Sequence, residues 1–164
     1  MTALDDVLFG LVVAAAVGAG IVGGLLFGFS TSVMPALARQ PDASGMRVMQ
    51  DVNVVILNPL FLATFMGTAV VSLALIGSPL AGASSEGLTL RLAGALLYLV
   101  GVFGITMAVN VPLNNRLAAL DASGRDSWPQ WRDYLERWTW WNHVRALAGV
   151  LASLALTLSA VRLG

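Results

Sequence analysis

Asn142, His143 and Arg145 stand together in a chain that carries few other reactive side chains. Asn142 and Arg145 are three residues apart and share a helical face. Both donate hydrogen bonds, so the pair is suited to hold a developing oxyanion in a site of low dielectric constant. His143 is the single histidine, and imidazole is the side chain whose ordinary pKa suits proton abstraction near pH 7. His143 and Arg145 lie about 200° apart around a helix, so both cannot point straight into one cavity, and the geometry favours Arg145 with Asn142. Candidates to line a ligand pocket are Asn53, Asn110, Asn114, Ser32 and Pro35, with Trp138 and Trp141 to stack on a flat ring.

Other chemistries are poorly served. The chain has no Cys and all nine basic residues are Arg, which excludes a disulfide, a thiolate nucleophile and a lysine Schiff base. One histidine and no acid within the long apolar runs cannot build an ordinary transition-metal site, so no metal is expected. A haem held by His143 alone stays open, as does a flavin, although no flavin or nicotinamide binding unit is recognisable. Gly18-Ala19-Gly20-Ile21-Val22-Gly23 spells G-x-G-x-x-G. A dinucleotide fold needs a strand before that motif. Here it lies inside an uncharged run and reads as glycine for helix packing.

The elements that must position these residues follow from composition. The chain has 164 residues, 57% of them hydrophobic and 11% charged, with a mean hydropathy of +0.80. A water-soluble domain carries roughly 25% charged residues, so a soluble enzyme and a disordered chain are both excluded. The formal net charge of zero gives no field to attract nucleic acid. No charged side chain occurs between Asp6 and Arg39, Asp51 and Glu86, Arg91 and Arg116, or Arg145 and Arg162. A helix needs about 20 mostly apolar residues to cross a bilayer. These runs predict an all-α, four-transmembrane-helix bundle forming a single membrane domain over 1–164, with helices at about 7–33, 53–77, 91–113 and 129–161. The last helix includes an amphipathic extension ahead of its span. Asp5 and Asp6 stand where a signal peptide would carry basic residues.

Local signals refine this picture. Ala16, Gly20, Gly24, Gly28 and Ser32 recur every four residues and would let another backbone approach closely, in this chain or in a homo-oligomer. Pro59 is expected to bend the second helix, and Pro112 to end or kink the third. Met34-Pro35 after the first helix and Val111-Pro112 after the third suggest two related helical hairpins. In the extension, Ser127 is placed to cap, Pro129 suits a first turn, and Arg132–Glu136 and Asp133–Arg137 are i,i+4 pairs. All five tryptophans fall between Trp128 and Trp141. Some suit an interfacial belt, and the rest suit an aromatic-lined pocket.

Arginine distribution sets the orientation. The connections after the first and third helices hold Arg39, Arg47, Arg116, Arg125, Arg132, Arg137 and Arg145, and the opposite side holds only Arg91 and Arg162. The positive-inside rule then puts those connections in the cytoplasm and both termini outside a cell membrane. The polar groups Ser30, Ser32, Asn53, Asn110, Asn114, Trp138, Asn142 and Arg145 gather at that same end. Such groups avoid lipid and are expected to face a cavity in the bundle.

Ser32-Val33-Met34-Pro35-Ala36-Leu37, Asn110-Val111-Pro112-Leu113-Asn114 and Trp138 with Trp141-Asn142-His143-Val144-Arg145 together resemble the anthrone-oxygenase-like family of small four-helix integral membrane proteins. The resemblance extends over nearly the whole chain. It implies a membrane-embedded oxidoreductase acting on a flat phenolic or polyketide-type compound. The CH₂ of an anthrone is acidified by its carbonyl and two rings, so its carbanion can reduce dioxygen without a cofactor. The protein would then supply a base, His143, and anion stabilisers, Arg145, Asn142 and Asn110. The alternative is a non-catalytic binder of lipophilic ligands, or an accessory subunit of a membrane complex. The absence of any acid mid-span argues against an ion-coupled transporter.

Overall fold

The computed structural model describes residues 3–164 and consists, over those residues, of helices and short connections without a strand. Four helices are long and apolar enough to cross a membrane: α1 (Ala3–Ala38), α3 (Pro59–Ala81), α4 (Leu88–Ala118) and α5 (Arg125–Leu163). A fifth, α2 (Asp42–Val55), joins the first two spans. Val17, Ile21, Val70, Leu73, Val100, Leu147 and Val161 are exposed on the outer faces of the spans. An outer surface of aliphatic side chains is what lipid, not water, solvates, and the four spans fit a multi-pass membrane protein.

Two elements differ from the sequence expectation. The stretch after α1 is largely helical, so Asn53 belongs to α2 and not to the second span. Pro59 does not bend that span but starts it. Asn58 has extended backbone (ψ 157°), and its side chain accepts a hydrogen bond from the Phe61 N–H at 3.0 Å. A proline in the first turn costs no intrahelical bond and disfavours a helical residue before it, so Asn58-Pro59 separates α2 from α3.

Pro35 and Pro112, by contrast, lie inside continuous helices. Each is preceded by a π-helical segment that ends two residues before it: Phe29–Val33 in α1 and Thr106–Asn110 in α4. A proline ring collides with the carbonyl four residues back and offers no N–H to it. Widening the preceding turn to i→i+5 bonding accommodates both problems without breaking the helix. The shared device gives α1 and α4 the same local architecture. α4 also has a second π segment, Leu97–Gly104.

Small residues draw the helices together. A Cβ on Gly23 would come within 2.9 Å of the Gly149 backbone, and one on Gly94 within 2.6 Å of Leu156. Gly18 fits against Thr68 and Gly20 against Ser153. The three glycines of the G-x-G-x-x-G motif are thus packing residues. Of the four-residue stripe, Ala16 is buried, whereas Gly24 and Gly28 meet nothing within 4 Å. Ser153 donates to the Ala16 carbonyl at 2.9 Å, and Ser159 to the Gly87 carbonyl at 3.1 Å. These bonds cross-link α5 to α1 and to the start of α4, as polar glue does where lipid removes the hydrophobic drive between helices.

At one end of the bundle a separate core forms from Met34, Met46, Met49, Leu117, Trp131 and Tyr134. Gln50 fastens α2 there, donating to the Leu117 and Leu120 carbonyls at 2.9 and 3.0 Å. Arg132 pairs with Asp42 at 2.7 Å and thereby ties α5 to the start of α2; this replaces the expected Arg132–Glu136 pair. Asp133 and Arg137 do pair, at 3.6 Å on the exposed face. Ser127 precedes the regular helix without a side-chain cap bond.

Candidate functional site

The site grows from the middle of α5. Asn142 is fully buried, and its Nδ2 donates to the Leu26 carbonyl and to Ser30 Oγ, both at 2.7 Å on α1. Both amide hydrogens are thereby engaged, which fixes the carbonyl oxygen in one direction. That oxygen accepts from the Arg145 guanidinium at 2.6 Å. The other terminal nitrogen of Arg145 donates to Thr106 Oγ1 at 3.1 Å, and Thr106 donates in turn to the Val102 carbonyl. The guanidinium also lies 5.2 Å from the Trp138 ring centre. A desolvated cation over an indole face gains about 2 kcal/mol.

Arg145 is 4% exposed, and no carboxylate pairs with it among the described residues. Burying an unpaired guanidinium costs several kcal/mol even after relaxation. Here one amide oxygen, one hydroxyl and one ring face offset that cost. All three are neutral, so the positive charge remains. The Nε of Arg145 has no hydrogen-bond partner.

Trp138 is held from the other side. Its indole N–H donates to Asn114 Oδ1 at 2.8 Å, and the Tyr134 hydroxyl donates to the same oxygen at 2.9 Å. Asn110 donates to the Trp138 carbonyl at 3.4 Å, leaving its own Oδ1 buried without a partner. Trp131, Tyr134 and Trp138 follow one another along α5 as stacked rings, with centroids 5.7 and 6.2 Å apart. These contacts set the plane of the Trp138 ring and, through it, the position of the guanidinium.

A cavity of about 100 Å³ borders this network. Its polar wall is Arg145, Thr106, Asn114 and Asn53, and the Nδ2 of Asn53 has no hydrogen-bond partner. Trp138, Phe29, Met49 and Phe61 supply flat and apolar surface, and Leu25 and Leu57 stand at the outside. Arg145 and Asn53 therefore stand at one end of an apolar space, and the unpartnered nitrogen of each is buried in the wall.

The residues singled out from sequence divide into two sets. Arg145, Trp138, Asn53 and Asn114 line the cavity; Asn142 and Asn110 are buried behind it and hold Arg145 and Trp138. His143 is exposed on the opposite face of α5. It lines an open groove with Pro35, Thr139, Trp140 and Glu136. The roughly 200° between positions 143 and 145 decides this, so His143 cannot serve as the base of this cavity. Pro35 lies in the His143 groove, Ser32 is exposed, and Trp141 is half-buried outside the cavity wall. Of the tryptophans, Trp131 and Trp138 are buried and Trp140 is exposed. Thr106 and Tyr134 belong to the network but were absent from the expected site, whereas Ser30 was among the polar groups expected to face the cavity. Ser30 and Thr106 lie five and six residues before the two intrahelical prolines. Among the described residues no cluster of three or more metal-ligating side chains occurs.

The family model for anthrone oxygenase matches residues 46–155. The matched stretch contains Asn53, Thr106, Asn114, Trp138, Asn142 and Arg145 and leaves out α1. No curated protein and no solved structure matches the chain.

Proposed function

The chain belongs to the anthrone oxygenase family, and on that premise we propose that it is a membrane-embedded oxygenase-like protein acting on a flat phenolic or anthrone-like compound. The observation that carries the reading is Arg145, a buried cation without a carboxylate partner beside an aromatic-walled cavity. Such a group stabilises negative charge that develops on a ligand oxygen, and does so most strongly where water is excluded.

In the proposed reaction an anthrone binds with its carbonyl oxygen toward Arg145 and Asn53 and its rings along Trp138. The cationic wall favours the enolate, so one CH₂ proton leaves to water; no imidazole or carboxylate lines the cavity. The carbanion passes one electron to dioxygen, and the ligand radical and superoxide combine to a peroxide anion. This takes up a proton to give a hydroperoxide. Loss of water from the C–H and O–OH then leaves a second carbonyl. One dioxygen is consumed and one water released per anthrone, with one oxygen atom retained in the quinone. Asn142 and Thr106 hold the guanidinium, and Asn114 and Tyr134 hold the ring beneath it. By the arginine bias, the site lies toward the cytoplasmic side, with both termini outside.

Oxygen uptake by the purified protein in lipid discs, with anthrone, tests the reading. The expected result is stoichiometric uptake with quinone formation, reduced by two to three orders of magnitude in Arg145→Met. Uptake no faster than in protein-free discs overturns catalysis. A second reading, a non-catalytic binder of lipophilic ligands, is favoured by the displacement of His143, the single histidine, from the cavity. Anthrone binding without oxygen uptake would select it.

A further inference from the structure

The wall of the cavity is asymmetric. Its polar groups belong to α2, α4 and α5, whereas on the remaining side it is closed by Leu25 of α1 and by Ile56 and Leu57 of the α2–α3 elbow. Leu57 is 61% exposed and Leu25 36% exposed, so these residues face both the cavity and the surroundings of the bundle. Leu25 lies within the membrane span of α1, and Leu57 lies two residues before the span of α3. No charged side chain other than the buried Arg145 borders the cavity. A mouth framed this way opens on lipid.

The cavity is also small. At about 100 Å³ it lies below the roughly 300–1,000 Å³ of sites that enclose drug-sized ligands. A tricyclic compound enters only if part of the wall moves, and the structure shows which part is free to do so. α2 is anchored at its start by Asp42–Arg132 and in its middle by Gln50. Val52 still packs against the end core, and beyond Asn53 the anchors end. Val54 and Val55 are exposed, and the Asn58 side chain bonds only to the neighbouring Val55 and Ile56 carbonyls and the Phe61 N–H. The elbow therefore holds local bonds that move with it.

We propose that a lipophilic ligand reaches the Arg145 cavity sideways from the bilayer, oxygen end first, through a mouth between Leu25 and Leu57 that widens when the α2–α3 elbow swings outward. This rests on the reading of the cavity as the ligand site. It makes Leu25 and Leu57 entry-determining residues that take no part in the chemistry.

The chain has no native cysteine, so a Leu25→Cys, Leu57→Cys variant can be bridged at one place only, with a short bifunctional methanethiosulfonate that a reductant removes. Anthrone association in lipid discs is followed by quenching of tryptophan fluorescence. The expected result is association at least tenfold slower in the bridged protein, restored by reductant, with the single-cysteine variants treated with the same reagent slowed less than the bridged protein. Equal association rates in bridged and reduced protein overturn the lateral route while leaving ligand binding intact. Absence of binding in the reduced variant and in the unsubstituted protein overturns the ligand-site reading, and the route with it. If only the variant fails to bind, Leu57→Trp decides: unchanged association there overturns the route, and slowed association with unchanged equilibrium affinity supports it.

Discussion

Two arginines are buried in this bundle, and their surroundings differ. Arg91, near the start of α4, is fully buried; its guanidinium donates to the Ser84 and Glu86 carbonyls of the loop leading into its own helix. Arg145, in α5, is held by an amide and a hydroxyl from side chains of two helices, lies over an indole and borders a cavity. Both have an unpartnered Nε, so burial and an orphan nitrogen do not by themselves make a site. The acceptors make the difference. Carbonyls of an adjoining loop tie Arg91 to local structure. Side chains that are themselves anchored to α1 and α4 place Arg145 against open space with its charge uncompensated.

The largest effects are expected at the two arginines themselves. Arg145→Met is expected to reduce anthrone turnover by two to three orders of magnitude while the protein still inserts and folds. Arg91→Met should do the reverse. Loss of two hydrogen bonds to a charged donor lowers stability by about 3–6 kcal/mol, with turnover per folded molecule unchanged. Unfolding in mixed micelles alongside oxygen uptake measures both, and equal effects on both quantities for both variants would erase the distinction.

Smaller effects are expected at the packing glycines. Gly23→Ala presses a methyl into the Gly149 backbone at 2.9 Å and is expected to destabilise by about 1–3 kcal/mol, loosening the α1 face that carries Leu26 and Ser30. Gly24→Ala meets nothing within 4 Å and is expected to be neutral or stabilising by about 0.5–1 kcal/mol. Thermal unfolding of the two variants compares them. His143→Ala comes next: turnover should stay within about twofold of the parent, because the imidazole lies across the helix from the cavity and withdraws no hydrogen bond from Arg145. A loss as large as that of Arg145→Met would return His143 to the chemistry.

The smallest effect is expected in the loop between α4 and α5. The Asp121 carboxylate accepts from the Ser123 N–H at 2.9 Å and Ser123 Oγ at 2.6 Å, and these bonds hold its pKa below the usual carboxylate range. A depressed folded-state pKa means that the turn's contribution is present above the unfolded value and is lost as pH falls through the folded one. Amide exchange at Ser123 should therefore quicken on acidification while exchange in α5 near Asn142 stays constant. Acid sensitivity spread over both regions would show that the loop and the site are not independent.

Sequence made much of this legible, for identifiable reasons. Long uncharged runs are the direct signature of membrane spans, and α1, α3, α4 and α5 were readable from them. Asn142, Arg145 and Trp138 share a face by simple 3.6-residue periodicity, and α5 is regular there. The four-residue stripe drifts by about 40° at each step around a helix of 3.6 residues per turn, so Gly24 and Gly28 already meet nothing within 4 Å ahead of the π segment, and Ser30 rather than Ser32 is buried. Thr106, inside the π segment before Pro112, reaches Arg145. Asn58-Pro59 looks the same in sequence whether it kinks a helix or starts one, and this hid α2. The Arg132–Asp42 pair joins residues distant in the chain, which no local spacing reveals.

The proposed contact is between the guanidinium of Arg145 and an ionised ligand oxygen. It is tested most directly by titrating the absorbance of a bound hydroxyanthrone in the parent protein and in Arg145→Met. A buried, unpaired cation should lower the ligand's apparent pKa by about 1–3 units in the parent, and the substitution should abolish that shift while stacking on Trp138 still retains the ligand. Identical titration curves in the two proteins would rule that contact out.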